Sequence, residues 1–232
     1  MTSDWPEYEI ERVAGILLRV ELQEQRHRET GAWAALVDHL NRAVSAACLI
    51  SQEEEAQAYI GRTSEAMRQW VAAVRQGYAR ASYNNDFASV RGMLTLVLSG
   101  VPEVESVCEE FLRQTGGLPI GPVYNARLVA QLVLRKEAAE LARTGMQCSM
   151  EDQGLGAPWR RFALAIPAGD LAARRNSVDR GLLEKTEATQ THEWGAYNEV
   201  PIEVSGALAV AERYGTPLKV ASNRVLPRFR TE

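Results

Sequence analysis

Cysteine and histidine are scarce in this 232-residue chain, and long apolar runs are missing altogether. The three cysteines lie far apart without a Cys-x-x-Cys pair: Cys48, Cys108 and Cys148. An odd, widely spaced set does not match the even disulfide framework of many secreted proteins. We therefore expect reduced thiols in a reducing compartment, buried as small apolar residues.

The sequence shows no segment suited to a membrane or to secretion. No apolar run approaches the roughly 20 residues that span a bilayer. The N-terminus reads MTSDWPEYEIE, which is acidic where a secretory signal is basic. These features predict a cytoplasmic protein with no membrane partner.

Sequence motifs for cofactors and nucleophiles are also missing. The glycine-rich LRQTGGLPIGP lacks the Gly-Lys-Ser/Thr ending of a phosphate loop and follows no predicted strand. No Gly-x-Ser-x-Gly elbow marks a nucleophile. The formal net charge is −4, whereas phosphate contacts need clustered Lys and Arg, so nucleic acid is not an expected partner. We expect no cofactor, no bound metal and no enzymatic activity.

The histidines raise the alternative of a metal site. They are His27, His39 and His192. Glu24 and His27 have the Glu-x-x-His spacing that places a carboxylate and an imidazole on one helical face, a pair that di-iron bundles use twice. A second copy is missing, and the adjacent Asp38 and His39 point apart on a helix. A solvated helix face is the favoured interpretation, and a metal-dependent enzyme using Glu24, His27 and His192 stays open.

Helical periodicity dominates the first 145 residues. Apolar residues recur at helical spacing near the N-terminus: Ile10, Val13, Leu17 and Val20. Later segments begin at proline and end at glycine, which is the expected asymmetry of helix termini, as in Pro102 to Gly116 and Pro122 to Gly145. Strand signals are nearly absent. This pattern predicts an all-α fold, an irregular bundle of antiparallel helix pairs.

We expect one continuous domain with two parts. Residues 1–145 form a helical bundle, and residues 146–232 form a C-terminal helical lobe packed on the same core. Arg91 to Leu98 reads RGMLTLVL, and Arg127 to Leu134 reads RLVAQLVL 36 residues later. Helix-hairpin repeats of this length build stacked solenoids, so a solenoid-like arrangement stays open beside the irregular bundle.

Two acidic groups are candidate binding surfaces. Glu53, Glu54 and Glu55 form one run, and Glu103, Glu105, Glu109 and Glu110 form the other. Such runs usually lie on a solvated face or in the first turn of a helix. They are also suited to steering a basic protein partner, such as a nuclease. Trp70 and Tyr78 are candidate aromatic contacts of the same interface, with the core as the other place for them.

The C-terminal segment combines a helix with a short basic extended tail. It reads GALAVAERYGTPLKVASNRVLP from Gly206 to Pro227. Gly215 is suited to ending the helix, and Pro217 prevents its continuation. We expect Leu218, Val220, Val225 and Leu226 to pack on the bundle while the basic residues between them stay hydrated. Such a segment seals the end of a helical stack.

This closing segment resembles that of the all-helical immunity proteins encoded beside bacterial polymorphic toxins. The stretch WVAAVRQGYARASYNNDFASVRGMLTLVLSG is similar to them in style. The likeness implies a protein that binds and neutralises a cognate toxin in the cytoplasm of the producing cell. It carries over no functional residue. A structural or assembly subunit of a larger complex is the alternative that the residues also allow, ahead of the helical metal-dependent enzyme.

Overall fold

The structure is a computed structural model that describes residues 7–49, 53–77, 83, 86–116, 123–147, 156–183, 202–222 and 225–231. Its α-helices are α1 Glu7–Thr30, α2 Trp33–Leu49, α3 Glu53–Arg75, α4 Asp86–Ser99, α5 Val104–Thr115, α6 Tyr124–Val133, α7 Ala138–Gln147, α8 Gly156–Ala165, α9 Leu171–Ser177 and α10 Ile202–Arg213. A π-helical turn at Val178–Leu183 continues α9. The described residues contain no β-strand, which confirms the all-α prediction.

Two pairs of helices run parallel, α1 with α3 and α2 with α4. Glu21 of α1 contacts Arg62 of α3, and Arg28 contacts Gln69, seven residues further along each helix. Asp38 of α2 contacts Arg91 of α4, and the same direction brings Asn41 to Thr95. The bundle of antiparallel pairs stays a prediction for the chain as a whole.

Helix α10 lies inside the molecule. Every residue from Ile202 to Ala211 is buried. Its main neighbour is α4, and it also touches α2 and α6. Gly206 permits this packing, because a Cβ atom there would lie 2.7 Å from Cβ of Leu94 and 3.1 Å from the Leu94 carbonyl oxygen. The sequence pattern indicated a helix with one apolar face, whereas the helix is buried on all sides.

The tail after α10 folds back on the helices as expected. Gly215 ends the helix with a φ of 91°. The four apolar residues named above are buried: Leu218, Val220, Val225 and Leu226. Val220 forms an isolated parallel bridge with Arg230, and the turn Pro227–Phe229 lies between them. The Leu226 backbone N–H donates to the Ser205 hydroxyl at 3.0 Å, which attaches the tail to α10.

The prediction of one helix from Pro122 to Gly145 is wrong, because a turn separates α6 from α7. Arg135 adopts a φ of 50°, and the Lys136 N–H bonds back to the Gln131 carbonyl at 2.9 Å, which ends α6. Arg135 also lies over the Tyr214 ring at 5.7 Å. Gly145 lies within α7 instead of ending it. A left-handed turn at an arginine has no glycine to mark it in the sequence.

The hydrophobic core draws residues from both sides of position 145. It includes Val20 near the N-terminus and Phe229 near the C-terminus in one cluster. Its aromatic cluster places Trp70 against Tyr83 in a tilted arrangement, with ring centroids 5.3 Å apart, and Tyr83 against Phe111 in an edge-to-face arrangement at 4.8 Å. The division of the chain into two parts stays a prediction.

Candidate functional site

A polar network joins α2, α4 and α10 where the three helices meet. The Arg91 guanidinium donates to Asp38 through Nη1 at 2.8 Å and to Glu203 through Nε. The other Asp38 oxygen accepts from Arg42 at 2.8 Å. Burial alone would lower the pKa of Arg91, but the carboxylates of Glu203 and Asp38 outweigh it and raise that pKa above its ordinary value. Arg91 therefore stays charged and clamps α10 to the bundle.

A second polar contact joins α2 and α4 one turn further along these two helices. The Thr95 hydroxyl donates to Asn41 Oδ1 at 2.7 Å, and Asn41 Nδ2 donates to the Val37 carbonyl at 3.0 Å. These buried groups satisfy one another, which is the usual condition for polar side chains in a core. The network contains acids and bases in stable pairs, and it positions helices.

The first acidic group lies in the first turn of α3. Glu53 and Glu54 are exposed, and Glu55 is half-buried. Burial raises the pKa of the neighbouring Cys48 thiol to about 11, an effect that Arg230 opposes and Glu53 reinforces. The basic C-terminal tail therefore lies close to this acidic turn.

The second acidic group lies on α5, and most of it is already paired. Glu110 accepts from Arg113 at 2.9 Å, a hydrogen bond that is the main reason its pKa lies below the ordinary value. Glu103 lies 3.5 Å from Arg68, and Glu105 accepts from Arg213 at 3.0 Å. Glu109 is exposed.

The structure does not bring the two acidic groups together. Gln114 donates both to Glu110 and to the Val71 carbonyl, which places this end of α5 beside the second half of α3. Residues 53 and 71 are about 27 Å apart along the axis of α3, at 1.5 Å per residue. The acidic side chains thus form two separate surfaces.

The two candidate aromatic contacts have different outcomes. Trp70 is fully buried in the aromatic cluster with Tyr83 and Phe111. It is therefore a core residue, which is the other interpretation that the sequence allowed. Tyr78 lies outside the described residues.

The Glu24 and His27 side chains have separate neighbours. Glu24 accepts from Arg28 at 2.9 Å and also from Arg62, so two guanidinium groups surround its carboxylate. His27 stacks on His39 with ring centroids 4.9 Å apart. His192 lies outside the described residues, and within those residues no three His, Cys, Asp or Glu side chains are grouped to hold a metal ion.

The sequence interpretation missed an apolar row on the outside of α1. Leu18 and Leu22 lie one turn apart with 62% and 71% of their surfaces exposed, and Ala14 precedes them on the same face. The periodic set that marked the helix contains Leu17, which packs against the core. Two consecutive leucines of a helix cannot both face the core. The pair at positions 17 and 18 therefore indicated that one leucine would lie on the outer face.

None of the described helices is long and apolar enough to cross a membrane. Comparison with known proteins identified no matching family model, no matching curated protein and no matching solved structure.

Proposed function

We propose that the protein is an immunity protein, which binds a cognate bacterial toxin directly and neutralises it in the cytoplasm. The observation that carries this proposal is the acidic turn at the start of α3, where Glu53 and Glu54 are exposed and Glu55 is half-buried. Exposed like charges on a rigid helix attract a basic partner and speed its association. The resemblance of the C-terminal segment to immunity proteins supports the same function.

The partner suited to this surface is a basic protein toxin, such as a nuclease. Glu109 on α5 offers a second, smaller acidic contact that is separate from the turn on α3. Inhibition would follow from covering the toxin's active site or from blocking a motion that the toxin needs.

The test is co-expression of the chain with the product of the adjacent open reading frame. Growth rescue together with co-purification supports the proposal. A harmless neighbour that does not co-purify contradicts it. The triple variant Glu53→Gln/Glu54→Gln/Glu55→Gln is expected to slow association about tenfold at low salt and to weaken its salt dependence.

A matched control removes three charges outside this turn. Glu11, Glu137 and Asp179 are exposed on other parts of the chain. The variant Glu11→Gln/Glu137→Gln/Asp179→Asn is expected to bind at about the same rate as the unaltered chain. An equal effect of the two triple variants would assign the effect to net charge and remove the role of the α3 turn.

The exposed leucine row favours a second candidate, a structural or assembly subunit of a larger complex. Contiguous exposed apolar side chains often mark protein contacts. Oligomerisation of the chain expressed alone, lost in Leu18→Ser/Leu22→Ser, would support this candidate. A monodisperse monomer would contradict it.

A further inference from the structure

Two histidines stack across the contact between the first two helices. His27 on α1 and His39 on α2 have ring centroids 4.9 Å apart and ring planes inclined by only 17°. The two helices are joined by a tight turn at Gly31, where the Ala32 N–H bonds to the His27 carbonyl at 2.9 Å. The stacked rings therefore lie close to the hinge between α1 and α2.

The environment of the pair suits neutral rings. His27 Nε2 and His39 Nδ1 are buried and have no hydrogen-bond partner within the usual geometric limits, and the Ala35 backbone makes only a small contribution in favour of a charged His39. A neutral imidazole carries one N–H, whereas an imidazolium carries two and needs acceptors for both. Protonation would add a donor to a ring that is already short of partners, and it would place two cations face to face.

The charged groups around the pair are mostly cationic or already paired. On α1, the positive charge of Arg26 lowers the pKa of His27, and on α2 that of Arg42 lowers the pKa of His39. Asp38 favours a charged His39, but its two oxygens are held by Arg42 and by Arg91 of α4.

Helix α3 packs on α2 and also contacts α1, and its charged side chains are engaged in ion pairs there. Arg62 pairs with Glu21 and Glu24 of α1, and Arg68 pairs with Glu65 within α3. Protonated rings would therefore find little compensation among the described neighbours.

The described side chains of helix α1 offer little apolar packing to oppose such a change. Among them, Val20 is the only fully buried apolar residue, while Ile16 and Leu17 are partly buried. By contrast, α4 contributes six large apolar residues to the core: Val90, Met93, Leu94, Leu96, Val97 and Leu98. Within the part of the chain that the structure describes, α1 therefore contributes fewer buried apolar side chains than α4.

We propose that the His27–His39 stack is a pH-sensitive latch, which holds α1 against α2 while both rings are neutral and releases α1 when they are protonated. The ion pairs of α1 with α3 do not open with it, because the hydrogen bond from Arg62 keeps the pKa of Glu21 below its ordinary value. Opening therefore loosens α1 without detaching it completely.

The direction of the pH effect follows from the two imidazoles. Burial, followed by nearby arginines, lowers the pKa of both His27 and His39. The docked state then binds fewer protons than the open state, so docking is strongest above the ordinary histidine pKa of about 6.5 and weakens as the pH falls below it.

The test is hydrogen exchange of the full chain, read as protection factors that remove the intrinsic pH dependence of exchange. Between about pH 7.5 and about pH 5.0, protection of α1 amides is expected to fall at least about tenfold, while that of α4 changes less than about twofold. Equal losses in α1 and α4, or a stable α1, would overturn the proposal.

Three variants assign the response to the pair. His27→Phe/His39→Phe keeps stacked rings without titration and is expected to give pH-independent protection of α1. His39→Gln, a milder change, removes one charge and is expected to reduce the response to less than about threefold. His192→Gln is the control and should leave the response intact. Retention of the response in the double phenylalanine variant, or its loss in His192→Gln alone, would refute the latch.

Discussion

Arg91 of α4 and Glu203 of α10 form an ion pair although 112 residues separate them along the chain. The same guanidinium binds Asp38 of α2, so one arginine joins three helices. The Glu203 side chain is 10% exposed and that of Arg91 is 22% exposed. The pair therefore lies at the margin of the core, where it fixes the position of α10.

Arg91→Ala is expected to lower the free energy of unfolding by about 3 kcal/mol, because it leaves the Glu203 carboxylate without its counter-ion in a largely desolvated place and leaves Asp38 with Arg42 alone. Urea denaturation measures this change. Arg113→Ala is the control, since Arg113 also pairs with a glutamate but its side chain is 65% exposed. That variant should lose much less stability, because an exposed ion pair is screened by solvent. Equal losses in the two variants would contradict the clamp.

Gly206→Ala is expected to destabilise the protein by about 1–3 kcal/mol, because the added methyl group meets the backbone of Leu94. Gly61→Ala is the matched change on α3, where a Cβ atom meets nothing within 4 Å. Alanine there should stabilise the helix by about 0.5–1 kcal/mol. Thermal denaturation measures the stability of both variants. An unchanged stability of Gly206→Ala would mean that α10 does not approach α4 so closely.

The two described cysteines are expected to react slowly with iodoacetamide. Burial raises the pKa of Cys48 to about 11 and that of Cys108 to about 12. Near pH 8 about one thiol in a thousand is ionised at the first site, and fewer at the second. Peptide mapping should show both cysteines alkylated at less than about a tenth of their rate in urea. Rapid labelling of native Cys108 would show that α5 opens.

Leu18→Ser/Leu22→Ser is expected to change the free energy of unfolding by less than about 0.5 kcal/mol, because both side chains are already exposed. Leu36→Ala provides the contrast, since Leu36 is fully buried and its truncation should cost about 2–5 kcal/mol. Chemical denaturation compares the two. A large loss in the serine variant would show that the row on α1 packs against part of the chain.

Local sequence signals predicted much of the helical framework. The pattern from Pro102 to Gly116 predicted a helix, which is observed as α5 at Val104–Thr115. Gly215 ends α10 with a φ of 91°, as its position before Pro217 indicated. These features depend on backbone sterics and on residues a few positions apart, so they can be predicted from short stretches of sequence.

Signals that depend on distant residues were not available. Arg135 turns left-handed where its side chain can lie over Tyr214, and no nearby glycine indicates the turn. Glu203 resembles an ordinary first-turn glutamate until Arg91 is placed beside it. The two acidic groups similarly gave no indication that one lies at the start of α3 and the other on α5, beside the second half of α3.

The sequence by itself determined the helical class, many helix ends and the burial of the apolar residues in the tail, because periodicity and turn chemistry act locally. Tertiary structure decided that α10 is enclosed, that Trp70 is a core residue and that His27 meets His39. Those outcomes depend on which helix faces which, and this choice is made by packing and charge pairing between segments far apart in the chain.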